Sequence, residues 1–260
     1  KQYKLRYSNC ITKKVVVLMK KLAVFNKKGG VGKSTISVQL AHGLAKKGSK
    51  VLLFDLDSQN NCSLYLGVKD TPKTFFDAID ERYPEPIENC IYEVRDNLFL
   101  LPNSKYDIIE KEIFQFPRVD YYLRDMLEGV NNYDYIIVDC PPTLSVINNA
   151  VLYYVDNIVV PVLLESGSIQ AINDLHDYLT KLKLQPSMIK WIQPNKYRKT
   201  TNLHKEVLER LQETIGEKVL SPIYNRIKIA DLTSKGKTAF EYDKGLQDMF
   251  KPLIRRVENG

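Results

Sequence analysis

Two observations predict an α/β fold with a single doubly wound, mostly parallel sheet flanked by helices. Short runs of continuous apolar residues recur along the chain, as strands covered on both faces require, and stretches with helical apolar spacing separate them. One of the apolar runs leads straight into a glycine-rich turn and then a helix, an order suited to a ligand crevice at the end of a parallel sheet.

The elements follow in order. Leu22 to Phe25 reads as the first strand. Lys33 to Lys47 has Ile36, Val38, Leu40, Ala41 and Leu44 at helical spacing and stops at Gly48, a natural C-cap. Val51 to Phe54 is apolar throughout, and Tyr135 to Val138 and Ile158 to Val162 repeat that pattern. Ile189 to Ile192 is a further strand. Helices are expected near Thr143 to Tyr153, Ser168 to Leu184 and Leu203 to Ile215. Residues 66–133 are less regular, with a strand at Leu98 to Leu101 and a helix at Val119 to Leu127. Strand–helix alternation of this kind implies right-handed crossovers.

The chain has 260 residues, 44% apolar and 27% charged, which suits one large domain with a covered sheet. No apolar run approaches the ~20 residues that span a bilayer. Cys10, Cys62, Cys90 and Cys140 lack C-x-x-C spacing, so a reducing cytoplasm is expected rather than a disulfide scaffold. Net charge is +7, which favours a polyanionic partner. Met19 looks like a natural start that leads into the first strand, so residues 1–18 are expected to be an extension and 19–260 the working domain. Eighteen residues are too few for a helix-turn-helix module.

Gly29-Gly30-Val31-Gly32-Lys33-Ser34 fits the end of G-x-x-x-x-G-K-[ST], with Lys27 at the place of the leading glycine. Glycines let backbone N–H groups converge on phosphates, and the following helix offers its positive end. Lys33 can reach the β- and γ-phosphates, and the Ser34 hydroxyl is placed for Mg²⁺. Two aspartates close the next strand, Asp55 and Asp57, and Asp139 closes the strand Tyr135 to Val138. A carboxylate delivered beside a phosphate loop by an apolar strand is a Walker B arrangement, able to hold Mg²⁺ directly or through water. For Asp57 a helix or turn cap is the plain alternative. Cys140 invites a nucleophile or cluster reading, against which stands the absence of a suitably spaced partner.

Lys28-Gly29-Gly30-Val31-Gly32-Lys33-Ser34-Thr35 resembles the deviant Walker A of the ParA/MinD family, and Asp139-Cys140-Pro141-Pro142-Thr143-Leu144 resembles a stretch common in its ParA members. Asp55-Leu56-Asp57-Ser58-Gln59-Asn60 matches the family's D-x-D-P-Q-x-N except for Ser58 in place of proline. The resemblance runs from about Met19 to the C-terminus. It implies a P-loop ATPase using ATP/ADP and Mg²⁺, with Lys28 reaching across a nucleotide-sandwich homodimer. It also implies that Asp55 positions the attacking water, that Asp57 supports the metal or its switch loop, and that Asn195 and Asn225 lie in the adenine-contacting loops. For each asparagine a loop cap is the plain alternative, as an exposed loop lysine is for Lys28.

Residues 181–210 hold Lys181, Lys183, Lys190, Lys196, Arg198, Lys199, Lys205 and Arg210 against Glu206 and Glu209. Such a cluster can grip DNA phosphates without reading bases, Lys196, Arg198 and Lys199 foremost, or can be a solvated surface. With the resemblance, it implies a DNA-segregation ATPase that binds nonspecific double-stranded DNA, is stimulated by a ParB-type partner, and is cytoplasmic and nucleoid-associated. The alternatives are a MinD-like membrane ATPase and a scaffold with little hydrolysis. The final stretch, Gly245 to Val257, has apolar spacing on one helical face; Pro252 interrupts it, so a docked helix is expected over a membrane anchor.

Overall fold

The computed structural model describes residues 19–80 and 82–260, so the expected extension 1–18 lies outside the described residues. The chain enters on strand β1 (Lys20–Val24), passes the glycine loop and forms helix α1 (Lys33–Ala45). Strand β2 (Val51–Asp55) follows, then two short helices, α2 (Asn61–Tyr65) and α3 (Phe75–Ile79). Strands β3 (Tyr92–Arg95) and β4 (Leu98–Leu101) form a tight antiparallel pair. Helices α4 (Tyr106–Gln115) and α5 (Val119–Met126) lead to β5 (Tyr135–Asp139). The rest alternates: α6 (Val146–Tyr154), β6 (Asn157–Leu163), α7 (Ser168–Lys181), β7 (Ile189–Asn195) and α8 (Asn202–Ile215). Helices α9 (Ile227–Ser234), α10 (Lys244–Asp248) and α11 (Lys251–Asn259) complete it.

The strands form one seven-stranded sheet in the order β3-β4-β2-β5-β1-β6-β7, parallel except at β3. The expected doubly wound, mostly parallel sheet is thus observed. Both faces are covered, as the unbroken apolar strands demand. On one face Ala23, Leu52, Phe54, Ile136 and Val138 pack beneath α4 to α8. On the other Leu22, Val24, Leu53, Ile137 and Val159 pack beneath α1, α9 and α11.

The register sets the chemistry. Val24 and Asp55 both pair with Asp139, so β1, β2 and β5 end at one level. The glycine loop and two carboxylates therefore emerge together in the crevice at the carboxyl edge.

Three local differences from the sequence expectation have physical causes. Strand β3 is a half-exposed edge, so Tyr-Glu-Val-Arg carries no apolar run to betray it. Strand β7 continues through Pro194 to Asn195, which an edge strand permits because one side needs no ladder donor. Helix α6 starts at Val146, later than expected, because the Ser145 hydroxyl accepts the Asn148 N–H and caps it there.

The amphipathic C-terminal segment is docked. Leu253, Ile254 and Val257 are buried, and a Cβ on Gly43 of α1 would fall 2.2 Å from Ile254 Cδ1. The apolar face that a membrane helix would offer to lipid is already part of the core. Among the described residues no helix is long and apolar enough to cross a membrane.

Candidate nucleotide and cation site

The glycine loop is held from below by polar groups. Asn26, directly after β1, is buried; its Nδ2 donates to the Pro161 carbonyl at 2.7 Å and its Oδ1 accepts the Lys28 N–H at 2.9 Å. Asn195 Nδ2 donates to the Val31 carbonyl at 2.8 Å, and Lys196 Nζ donates to the Gly30 carbonyl at 2.9 Å. These bonds tie the Gly30 and Val31 carbonyls to the end of β7 and the residue after it. Helix α1 has no side-chain cap and no acidic residue in its first turn, so its N–H groups are open to an anion.

Gly32 sits at φ 95°, and a Cβ there would lie 2.2 Å from Asn195 Nδ2. At Gly29 a Cβ would meet nothing within 4 Å. Gly32→Ala is therefore expected to weaken ATP binding far more than Gly29→Ala, by about 1–3 kcal/mol of backbone strain before the Asn195 clash is counted. Nucleotide titration by calorimetry checks the order; equal losses would contradict it.

The two lysines of the loop have different surroundings. Lys33 is buried, with Nζ 3.4 Å from the Lys28 carbonyl. Burial pushes its ammonium below the ordinary lysine value, while Asp139 and Asp57 pull it back. The Lys28 side chain is 51% exposed and its ammonium pairs with Glu165. Lys27 pairs with Asp174 on α7.

Asp55 and Asp139 are fully buried neighbours. Asp55 Oδ2 accepts the N–H groups of Cys62 and Ser63 at 3.0 and 3.2 Å, while Oδ1 has no hydrogen-bond partner. Asp139 Oδ1 accepts the Ser37 hydroxyl at 2.8 Å, and Oδ2 accepts the Cys62 thiol at 3.3 Å. Burial, then the charge of Asp139, drives the Asp55 carboxyl well above the usual range. Burial pushes Asp139 up to about 6, against the hydroxyls of Ser34 and Ser37 and the Cys62 thiol, which favour its anion. Asp57 is nearly buried and accepts the Gln59 N–H at 3.0 Å, a turn cap as well as a carboxylate facing the loop. Two buried carboxyls, one with an orphaned oxygen, beside a cation-seeking hydroxyl at Ser34, are the donor set that a hard divalent ion fits.

The loops after β7 and after residue 219 are laced together: Tyr197 N–H donates to Ile223 O and Asn225 N–H to Tyr197 O, each at 2.9 Å. Asn195 is buried against the glycine loop, whereas Asn225 is exposed; with its amide turned so that the oxygen faces Arg198, that oxygen accepts Nε and Nη2 at 3.0 Å. Arg198 and Lys199 are exposed, and so are Lys181, Lys183, Lys190, Lys205 and Arg210. Lys196 is exposed as well, but its amine turns to the glycine loop. Ser37, Cys62, Asn26 and Glu165 were not singled out from the sequence. Ser37 alone left a signal there, one helical turn beyond Lys33 on the crevice face. Cys140 is buried and free, as are Cys62 and Cys90.

A family model described as "AAA domain" matches residues 19–190. The chromosome partitioning protein ParA of Caulobacter vibrioides is 30% identical over 232 residues, 85% of this chain and 86% of that protein. The chain belongs to the ParA/MinD family of P-loop ATPases. The ParA/MinD fold is equally plain in solved structures. An ATP complex of a Cyanothece McdA variant superposes with TM-score 0.80 at 19% identity, over 92% of this chain and 96% of that one. The septum site-determining protein MinD of Pyrococcus horikoshii, complexed with Mg-ADP, gives 0.74 at 26% identity over 93% and 96%. The ParA/MinD assignment makes the chain an ATP-hydrolysing enzyme.

Proposed function

We propose that this ATPase is a DNA-partition switch: an ATP·Mg sandwich homodimer that binds nonspecific double-stranded DNA and hydrolyses ATP slowly until a ParB-type protein stimulates it. The observation that carries the reading is the division of labour between the two loop lysines. Lys33 is buried at the phosphate position, and Lys28 stands half-exposed at the rim, where a second subunit's nucleotide can meet it.

ATP and Mg²⁺ are the cofactors. The backbone of Gly29, Gly30, Val31, Gly32, Lys33, Ser34 and Thr35 cradles the phosphates, and Lys33 neutralises them. Ser34 and Asp139 hold Mg²⁺ with Asp57 supporting; when bound, the ion supplies charge neutralisation at the phosphate oxygens. Asp55, with its unpartnered oxygen, orients the attacking water. Lys28 approaches the partner's phosphates as an arginine finger does. Asn225, and Asn195 behind the loop, flank the base. Arg198 and Lys199 meet DNA phosphates, and Lys196 links that patch to the glycine loop. The protein would then work in the cytoplasm on the nucleoid.

A MinD-like membrane role has less support, because α11 has its apolar face in the core. A scaffold without hydrolysis is disfavoured by the presence of Asp55, Asp57 and Asp139 together. Co-sedimentation with DNA and with anionic liposomes, each in ATP and in ADP, tests the reading. ATP-dependent DNA binding that steepens as salt falls, and that Arg198→Glu with Lys199→Glu removes, is expected. Liposome binding alone would sink it.

A further inference from the structure

We propose that Asp55, Cys62 and Asp139 form a binding site for a thiophilic divalent cation of the Zn²⁺ class, overlapping the carboxylates of the hydrolytic centre. All three residues are fully buried, and one ligand atom from each lies within 4.8 Å of the others. Cys62 Sγ and Asp139 Oδ2 are already 3.3 Å apart. That is about the edge of a tetrahedron drawn with Zn–S and Zn–O bonds of roughly 2.0–2.3 Å. Among the described residues Asp55 Oδ1 has no partner, so one carboxylate oxygen is free before any ion arrives.

Mg²⁺ and Zn²⁺ use this donor set differently. A hard ion takes the carboxylates and water and ignores sulfur. A borderline-soft ion gains the thiolate as its strongest ligand, and its binding releases the Cys62 proton, together with the proton held on the Asp55 carboxyl, to solvent. Two carboxylates and one thiolate make three protein ligands, which leaves a fourth tetrahedral position for an exchangeable one.

The consequence rests on the proposed function, whereas the binding does not. A bound soft ion takes Asp55 from the attacking water and Asp139 from Mg²⁺, while the backbone cradle at Gly29 to Ser34 is untouched. ATP would still bind, and turnover would stop. The switch would be held in its nucleotide-loaded form.

The test titrates the nucleotide-free full chain with Cd²⁺ and Co²⁺, following the sulfur-to-metal charge-transfer band. A band from a single thiolate, saturating at one equivalent, is expected. Cys62→Ser, which keeps a hydroxyl donor for Asp139, should abolish it; Asp55→Asn should weaken the affinity by at least about tenfold. Cys140→Ser should leave the band in place, and thermal melts of every variant report folding. If Cys62→Ser does not fold, Asp55→Asn and Cys140→Ser still decide the matter through the same band. A band retained in Cys62→Ser, lost in Cys140→Ser, unmoved by Asp55→Asn, or absent from the parent protein overturns the site. Phosphate release with Mg·ATP and no soft metal is measured separately. Its failure would count against the partition-ATPase reading and leave the metal result standing.

Discussion

Lys28→Ala is expected to bind ATP almost as well as the parent protein and to lose partner-stimulated hydrolysis by about a thousandfold, the lower end of what a cation supplied in trans contributes. The asymmetry follows from placement. Lys33 lies buried at the glycine loop, so on the proposed reading its loss would cost binding. The Lys28 ammonium pairs with Glu165 of its own chain at the rim. An exposed pair of this kind contributes little to stability, so its removal should leave the melting temperature nearly unchanged. Calorimetric ATP titration, phosphate release and DNA co-sedimentation on one preparation separate the roles. A Lys28→Ala protein that hydrolyses ATP and binds DNA normally would remove the basis for the shared-site reading.

Asp139→Asn should make the nucleotide-free protein more stable and the enzyme inert. The folded Asp139 carboxyl titrates at about 6 because burial disfavours its charge. An unfolded aspartate titrates at ~3.9. Between these values the folded chain keeps a proton that the unfolded chain has lost. Stability therefore falls as pH rises through the window, and the whole penalty stands above pH about 6. Two pKa units correspond to about 3 kcal/mol, as an upper figure for what the amide recovers at pH 7. The melting temperature should rise on the order of 5–10 °C at pH 7, and the gain should fade as pH drops toward 4. Asparagine keeps an acceptor for Ser37, so the local geometry survives. Hydrolysis should fall at least about a hundredfold with the charge gone. Melts at several pH values and a turnover assay check both halves; a destabilised variant at pH 7 would refute the burial argument.

Much of this was legible in the chain. Continuous apolar strands can exist only under cover on both sides, so Val51 to Phe54 and Tyr135 to Val138 disclosed a parallel sheet, and the residues ending them disclosed the crevice. That Lys33, Ser34 and Asp139 would meet at one crevice was readable for the same reason: motif, strand and helix agreed. The rest depended on tertiary register. Nothing local to Cys62 says that its thiol will meet a carboxylate 77 positions away. Asn26 looks like an ordinary loop residue until β6 brings the Pro161 carbonyl to it. Glu165 becomes interesting only when the turn before α7 swings beside Lys28. Strand β3 was hidden because a half-wet edge has no composition of its own.

Lys20, at the start of β1, donates its ammonium to the carbonyls of Val257 and Glu258 at 3.1 and 2.9 Å. This stitch fixes the last turn of α11 beside the entry of β1, at the pole away from the glycine loop. The five residues of β1 separate the two ends of that strand by roughly 16 Å at ~3.3 Å per residue. A fluorophore attached to exposed Asn259 would thus report from the far pole, well clear of the glycine loop.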